Sequence, residues 1–480
     1  MLRVSSATFL VLAAACSSET SSILPDSGTL DGAADAATTT DSATSVDATA
    51  DAKTDGGTVA PMAAGSSRVV YVKVDGGGNV AVKIEAPVTA RFGTSTGVVV
   101  STQTFFTGKT GEFYQLSAAG LGLVHISYLW PGWNDKQTGA KSDGTHDYGG
   151  EGDIAAFARV MEFATGAGTD VDGNSLASHL PFALESGNVG LFAFSHPGIA
   201  AVNVMALHGE RFSKLAYFVG RENPTYDAES TVELGYYGNA GKGDAVLNPL
   251  YNPSQWTAPG ATVNYTSIRY DSATKVPYFD IDGDKKLSSA DHPLGDRIPE
   301  MAGKYYYSSA LLHALESSKT LTTWPSTLAT AADADARWPY RTSTTRYAAV
   351  AAKFPTLKTL LLFAKRDHVQ PAPDKPHIRH AYEGLHTTGK LWVRLNPDAA
   401  YLAWAGASAA NAGADIEANR TLSATDWLSA TSLAYDGTKV LAAQAEWAAI
   451  AEMADRTHKN DWSTNLTATL VTFAVPKPTK

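Results

Sequence analysis

The chain has 480 residues and a formal net charge of −10, enough for one large domain or two ordinary ones. An acidic balance excludes a nucleic-acid binder that works through a basic face, and 44% hydrophobic against 18% charged residues suits a globular body. The charge is unevenly placed: residues 17–67 hold seven Asp and one Glu against a single Lys, which leaves the rest close to neutral.

The N-terminus carries an address. Arg3 supplies a positive start, Ala7 to Ala15 a short apolar run, and Ala13-Ala14-Ala15 a small-residue cleavage site before Cys16, the single cysteine of the chain. This resembles a bacterial lipoprotein signal, with Ala13 where Leu is commonest. The resemblance implies that residues 1–16 are a signal peptide with its lipidation site at Cys16. It also implies an exported protein anchored by lipid in a membrane, with its body in the periplasm or at the cell surface. Ser17 after the Cys resembles outer-membrane sorting. A plain secretory signal with an incidental Cys is the other reading. The apolar run is too short to span a bilayer. Beyond Cys16 the chain can form neither a disulfide nor a thiolate metal site. Residues 17–67 are Ala, Ser, Thr, Asp and Gly with no aromatics, too little apolar surface to offset the entropy of ordering, and are expected to be a disordered linker.

The folded body is expected over 68–475. Val69 to Val72 and Val80 to Ile84 read as strands around the turn Asp75-Gly76-Gly77-Gly78, and Gly97 to Phe106 as a third. Leu121 to Leu129 is a nearly continuous apolar run, which suits a strand covered on both faces. A Gly-rich loop from Pro131 to Gly152 follows, with its acids Asp143, Asp147 and Glu151 read as solvated charge. Asp153 is placed to cap a helix over Ile154 to Thr165. Val189 to Phe194 predicts a buried strand, Ile199 to Leu207 a helix and Leu215 to Val219 a strand. After an interruption come Leu357 to Phe363 (strand), His377 to Leu385 (helix), Leu391 to Leu395 (strand) and Lys439 to Asp455 (helix). Alternating apolar strands and helices predict an α/β fold: a mixed, mostly parallel sheet with helices on both faces. The interruption, about 221–352, is rich in Tyr, Pro and Asn and is expected to be a large cap insertion that covers substrate.

Gly190-Leu-Phe-Ala-Phe-Ser195-His-Pro-Gly198-Ile-Ala-Ala is an apolar strand, a Ser and a small-residue helix. It resembles the nucleophile elbow of the α/β-hydrolase superfamily, and the resemblance covers about residues 68–475. A nucleophile on a tight strand-to-helix turn needs small neighbours. The family's flanking glycines are Ala193 and Pro197 here, and Pro suits a first helical turn. The resemblance implies Ser195 as nucleophile, with the His196 amide as one oxyanion donor. A second donor is expected from the loop after Leu121–Leu129, at Trp130 or Gly132. The acid should follow a late strand, and Leu360-Leu-Leu-Phe-Ala-Lys-Arg-Asp367 places Asp367 there.

The base stays open. The family's His follows the last core strand, but Asn396-Pro-Asp398 stands there. The candidates are His377 at a helix start, His458 after the terminal helix, and His368 beside the acid. His380 and His386 read as surface residues and His125 as a satisfied core histidine. Ser alone is a poor nucleophile and needs an imidazole to take its proton. Two functions follow. One is a serine hydrolase of carboxylic esters or short peptide amides, similar to the dienelactone hydrolase and prolyl-oligopeptidase branches. The other is a non-catalytic, calcium-stabilised surface binding module of the same fold.

Within the interruption, Asp280-Ile-Asp282-Gly-Asp284-Lys-Lys286-Leu-Ser288-Ser-Ala-Asp291 places oxygen ligands at positions 1, 3, 5, 9 and 12, with the Lys286 carbonyl at 7. The run resembles an EF-hand loop, and the dockerin variant more closely. The departures are Lys285 where Gly is usual, relieved by Gly283, and Asp291 in place of Glu. Structural calcium is the cofactor expected, with no organic cofactor. A shorter run, Asp170-Val-Asp172-Gly-Asn174, reads as a turn.

Overall fold

The computed structural model describes residues 59–102, 112–114, 116–224, 233–238, 243–252, 263–294, 300–301, 303–367, 369–386, 392–406 and 440–463. Cys16 and residues 17–58 of the expected linker lie outside them. The body begins earlier than Arg68: Met62 is buried in the core, and its N–H bonds to the His179 carbonyl at 2.8 Å.

The first two strands, β1 (Ser67–Lys73) and β2 (Asn79–Glu85), pair antiparallel. The turn between them runs through Gly76, Gly77 and Gly78, all at positive φ, a conformation glycine adopts without steric cost. Then come β3 (Ser95–Ser101), β4 (Val124–Tyr128), α1 (Glu151–Ala164), β5 (Ala183–Phe194), α2 (Pro197–His208) and β6 (Leu215–Arg221). The start of α1 differs from expectation. Asp147 receives the N–H groups of Gly150, Gly152 and Asp153, so it caps the helix. Asp153 is turned inward against His146.

After β6 a long segment intervenes before the chain returns to the main sheet. Its strands are β7 (Gly235–Tyr237), β8 (Ala245–Leu247), β9 (Ile268–Asp271), β10 (Val276–Phe279), β11 (His292–Pro293), β12 (Glu300–Met301) and β13 (Lys304–Tyr305). Two helices follow, α3 (Ser309–Ser318) and α4 (Ala331–Arg341). Ile268, Phe279, Tyr307, Leu311, Leu312 and Leu328 give this insertion a core of its own. The chain rejoins the body at α5 (Tyr347–Lys353), whose Tyr347 and Val350 pack into the main core. It ends with β14 (Lys358–Leu362), α6 (Pro376–His386), β15 (Trp392–Leu395), α7 (Ala399–Trp404) and α8 (Ala442–Lys459).

Eight strands make one sheet in the order β1-β2-β4-β3-β5-β6-β14-β15. The β1–β2 and β2–β4 pairs are antiparallel and the rest parallel. Side chains alternate across it. Val98 and Val100 of β3 join one core with α1, α2, α5 and α6, while Val99 and Phe192 join a second with α7 and α8. The sheet thus lies between two helical layers, and this is the α/β-hydrolase fold. Buried charge pins α8 to it: Glu452 accepts from Arg394 of β15 at 3.2 Å and from Arg456 at 2.8 Å. Removing one partner from such a pair would strand a buried charge. Among the described residues no helix is long and apolar enough to cross a membrane.

Candidate active site

Parallel strands send their C-terminal ends to one edge of the sheet, where open α/β sheets place their sites. Ser195 stands at that edge, the first residue after β5, with φ at +57° and 8% exposed. Its N–H extends the sheet by bonding to the Arg221 carbonyl at 2.9 Å, and its own carbonyl accepts from Gly198 at 2.9 Å. His196 caps α2 and Pro197 opens it, the position where a missing N–H costs nothing. The residues after β6 and β15 are bent in the same way: Glu222 has φ +47° and Asn396 φ +60°. Non-glycine residues in this region are strained, and such strain gathers at functional sites.

Asp367 follows β14 and is almost fully buried. Its Oδ1 accepts the N–H groups of Val369 at 2.7 Å and Gln370 at 2.8 Å, which fix the carboxylate plane. Its Oδ2 lies 2.9 Å from Nε2 of His377, one residue inside the start of α6 and 1% exposed. Ile378, the next residue, lines a small cavity beneath the elbow together with Gly198, Val202 and Asn223. The start of α6 therefore abuts the start of α2.

Other charged groups crowd this edge. Lys375, buried at φ +43°, donates from Nζ to the Gln370 carbonyl at 3.2 Å. Burial pushes its pKa down, while the carboxylates of Asp367, Glu222 and Asp374 pull against that. The Asp374 carboxyl is pushed up by burial, although the Tyr251 hydroxyl donates to it at 2.6 Å. Tyr237, on β7 of the insertion, is pushed up to about 12 by burial and by Asp367, with Glu222 adding to it and Arg366 opposing. Tyr237 and Tyr251 bring the insertion to the segment that carries Asp367 and His377.

Several expected residues lie elsewhere. His458, at the end of α8, stacks on Phe92 and bonds through Nδ1 to Glu185 at 2.8 Å. Glu185 is near the start of β5, ten residues before Ser195, roughly 30 Å away along an extended strand. His458 is therefore at the opposite edge and is no partner for Ser195. His368 lies outside the described residues. Asn396, where the family's His was sought, serves the backbone: its N–H bonds to the Leu361 carbonyl at 2.9 Å and its Oδ1 accepts from Phe363 at 3.1 Å. His380 is buried rather than at the surface. His125 is a core histidine, held between Glu85 at 2.8 Å and Ser101 at 3.0 Å.

Trp130 and Gly132 also fail as oxyanion donors. They follow β4, which β3 separates from β5, a displacement of about 10 Å across two strand spacings. The Trp130 ring is fully buried between Tyr128 and Phe157, and the Gly132 N–H donates to the Asp143 carbonyl at 3.1 Å. The chain leaving β3 is the one beside the elbow, since the Thr102 N–H bonds to the Phe192 carbonyl at 3.0 Å.

The 280–291 loop joins β10 to β11, with Phe279 paired to His292. Carboxylate oxygens of Asp280, Asp282 and Asp284 lie within 4.8 Å of one another, Asp280 buried and the others exposed. Hydrogen bonds from Gly283 to Asp280, from Asp284 to Asp282 and from Lys286 to Asp284 wind the chain about them. Asp291 accepts from Ile281 and Ser288 and closes the loop. Lys285 has φ +63°, which explains why Gly is usual at that position. This set of hard oxygens around a tight turn fits a calcium ion. The Asp170 run is a turn, its Oδ1 accepting from Asp172 and Asn174.

No family model and no curated protein matches the chain. Among solved structures the chain is similar to an esterase from Pyrococcus furiosus (10% identity, 35% of this chain and 52% of that one, TM-score 0.24). It is also similar to an arylesterase (13% identity, 37% and 51%, TM-score 0.25) and to prolyl oligopeptidase B from Galerina marginata (11% identity, 34% and 21%, TM-score 0.23). The chain spans about half the length of the first two.

Proposed function

We propose that this protein is a serine hydrolase that cleaves a carboxylic ester or a short peptide amide. One juxtaposition carries the reading: a serine held at φ +57° on the strand-to-helix bend, with a buried histidine–aspartate pair at the same sheet edge. In the reaction Ser195 Oγ attacks the carbonyl carbon and its proton passes to His377. Because Nε2 faces Asp367, the accepting nitrogen is Nδ1. Asp367 fixes the ring orientation and stabilises the imidazolium. The His196 amide, at the N-terminus of α2, faces the oxyanion of the tetrahedral intermediate. The same proton then goes to the leaving alcohol or amine, and water repeats the cycle on the acyl-enzyme.

The reading extends to the ends of the molecule. The sequence up to Cys16 supports export and a lipid anchor there, and Ser17 supports placement in the outer membrane, with the body in the periplasm or at the surface. The 280–291 loop supports structural calcium, held by Asp280, Asp282, Asp284, the Lys286 carbonyl, Ser288 and Asp291, which would stiffen the insertion. The deciding experiment is labelling with a fluorophosphonate, in which the Ser195 Oγ–P bond forms as fluoride leaves. Labelling of the wild type that vanishes in Ser195→Ala supports the enzyme. A well-folded wild type that takes no label points instead to a non-catalytic binding module.

A further inference from the structure

The amide of Asn223 reaches the nucleophile bend from below. Glu222, at φ +47°, turns the chain back after β6, and this tucks Asn223 under the elbow with 6% exposed. Its Nδ2 lies 3.0 Å from the carbonyl of Ala193, 2.9 Å from that of Ser195 and 3.0 Å from that of Arg221. Two hydrogens are thus shared among three acceptors, on both sides of the strained residue and on the neighbouring strand. Space for this side chain is built into two glycines. A Cβ at Gly198 would sit 2.2 Å from Cγ of Asn223, and one at Gly220 would sit 2.3 Å from Oδ1.

We propose that Asn223 is a positioning residue that aims the oxyanion donor by fixing the Ser195–His196 peptide plane. The peptide unit is planar and trans, so its C=O and N–H point in opposite directions. Asn223 and Gly198 hold the Ser195 carbonyl on the inner side of the bend, and the His196 N–H is thereby turned to the outer side. Without the carboxamide, Ser195 keeps one donor on its carbonyl, that of Gly198, and Ala193 and Arg221 each lose one. The plane is then free to rock. Donors that stabilise a transition state must be held in place before the charge develops, because reorientation during the reaction cancels their advantage. Gly198 thus has a specific reason to lack a side chain, since a Cβ there would overlap Asn223.

The inference rests on the serine-hydrolase reading. The test measures Asn223→Leu, which keeps the branched side-chain shape and removes the donors, and Gly220→Ala, which keeps Asn223 but displaces its Oδ1. For each, the rate of fluorophosphonate labelling, kcat and KM for a p-nitrophenyl ester, and the Kd of phenylboronic acid are compared with wild type. Val204→Ala, a core truncation in α2, is the control for lost stability. Asn223→Leu is expected to lower labelling and kcat roughly 100-fold, to leave KM within about threefold, and to weaken the boronate in step with kcat. Gly220→Ala should move the same quantities in the same direction by less, and Val204→Ala none of them. Wild-type labelling in both folded variants, or a loss confined to KM, would overturn the role of Asn223 while leaving the hydrolase intact. A wild type that takes no label overturns both.

Discussion

His377 Nε2 lies 2.9 Å from Asp367 Oδ2, and both residues belong to the single connection between β14 and β15. The proposed base and acid are therefore ten residues apart in one segment, and the N–H groups of Val369 and Gln370 hold the carboxylate that orients the ring. Replacing His377 by Gln is expected to lower kcat/KM on an ester by roughly 10³-fold or more, and Asp367→Asn by about 10²–10⁴-fold. His458→Gln should leave it within about twofold. Ester kinetics on the three purified variants checks this, and a loss at His458 with activity kept at His377 would reverse the assignment.

The bend at Ser195 makes a prediction about stability. A left-handed residue with a Cβ costs about 1–2 kcal/mol, a cost that Gly escapes. Ser195→Gly and Ser195→Ala should both abolish labelling, but the Gly variant should be the more stable of the two by about 1 kcal/mol. Urea denaturation midpoints compare them directly.

Calcium is expected to raise the unfolding temperature of the insertion by several degrees, because a ligand bound only by the folded form stabilises it. Replacing Asp282 and Asp284 together by Asn should remove the response, with fluorophosphonate labelling at saturating probe unchanged. Calorimetry with calcium and with a chelator reads the effect. An equal calcium response in the double variant would exclude the 280–291 loop as its source.

Two buried groups give opposite pH dependences. Burial lifts the Asp153 carboxyl to about 6 from an ordinary 3.8, against the opposing pull of His146. Between those values the folded state binds more protons than the unfolded chain, so this group's contribution to stability declines as pH rises from 4 to 6. Burial lowers His292 to about 4 from 6.5. Its contribution is complete above 6.5 and is lost as pH falls towards 4. Asp153→Asn should therefore steepen the rise of stability with pH across this window, and His292→Phe should flatten it. Denaturant titrations at pH 4.5 and 6.5 would show the two slopes change with opposite signs.

Ser195 and Asp367 are legible in the sequence because each sits within one residue-to-residue motif. A strand run into a small-residue helix marks the first, and a strand run into a turn acid marks the second. His377 stands first among the open candidates for a similar reason, since Pro376 opens a helix near the acid. The body's boundary was less legible. Met62 packs into the core although its neighbours have the composition of the linker.

Local pattern therefore determined the fold class, the strand-to-helix bend at Ser195, the turn that carries Asp367 and the oxygen spacing of the 280–291 loop, since hydrophobic period and turn chemistry act over a few residues. Strand order decided what the pattern could not. With β3 rather than β4 beside β5, the loop of Trp130 and Gly132 is set away from the site. The run of α8 carries His458 to the far edge, and Asn223 reaches under the elbow from another strand. Adjacency across a sheet depends on crossover connections and packing between distant segments, which no short stretch of residues encodes.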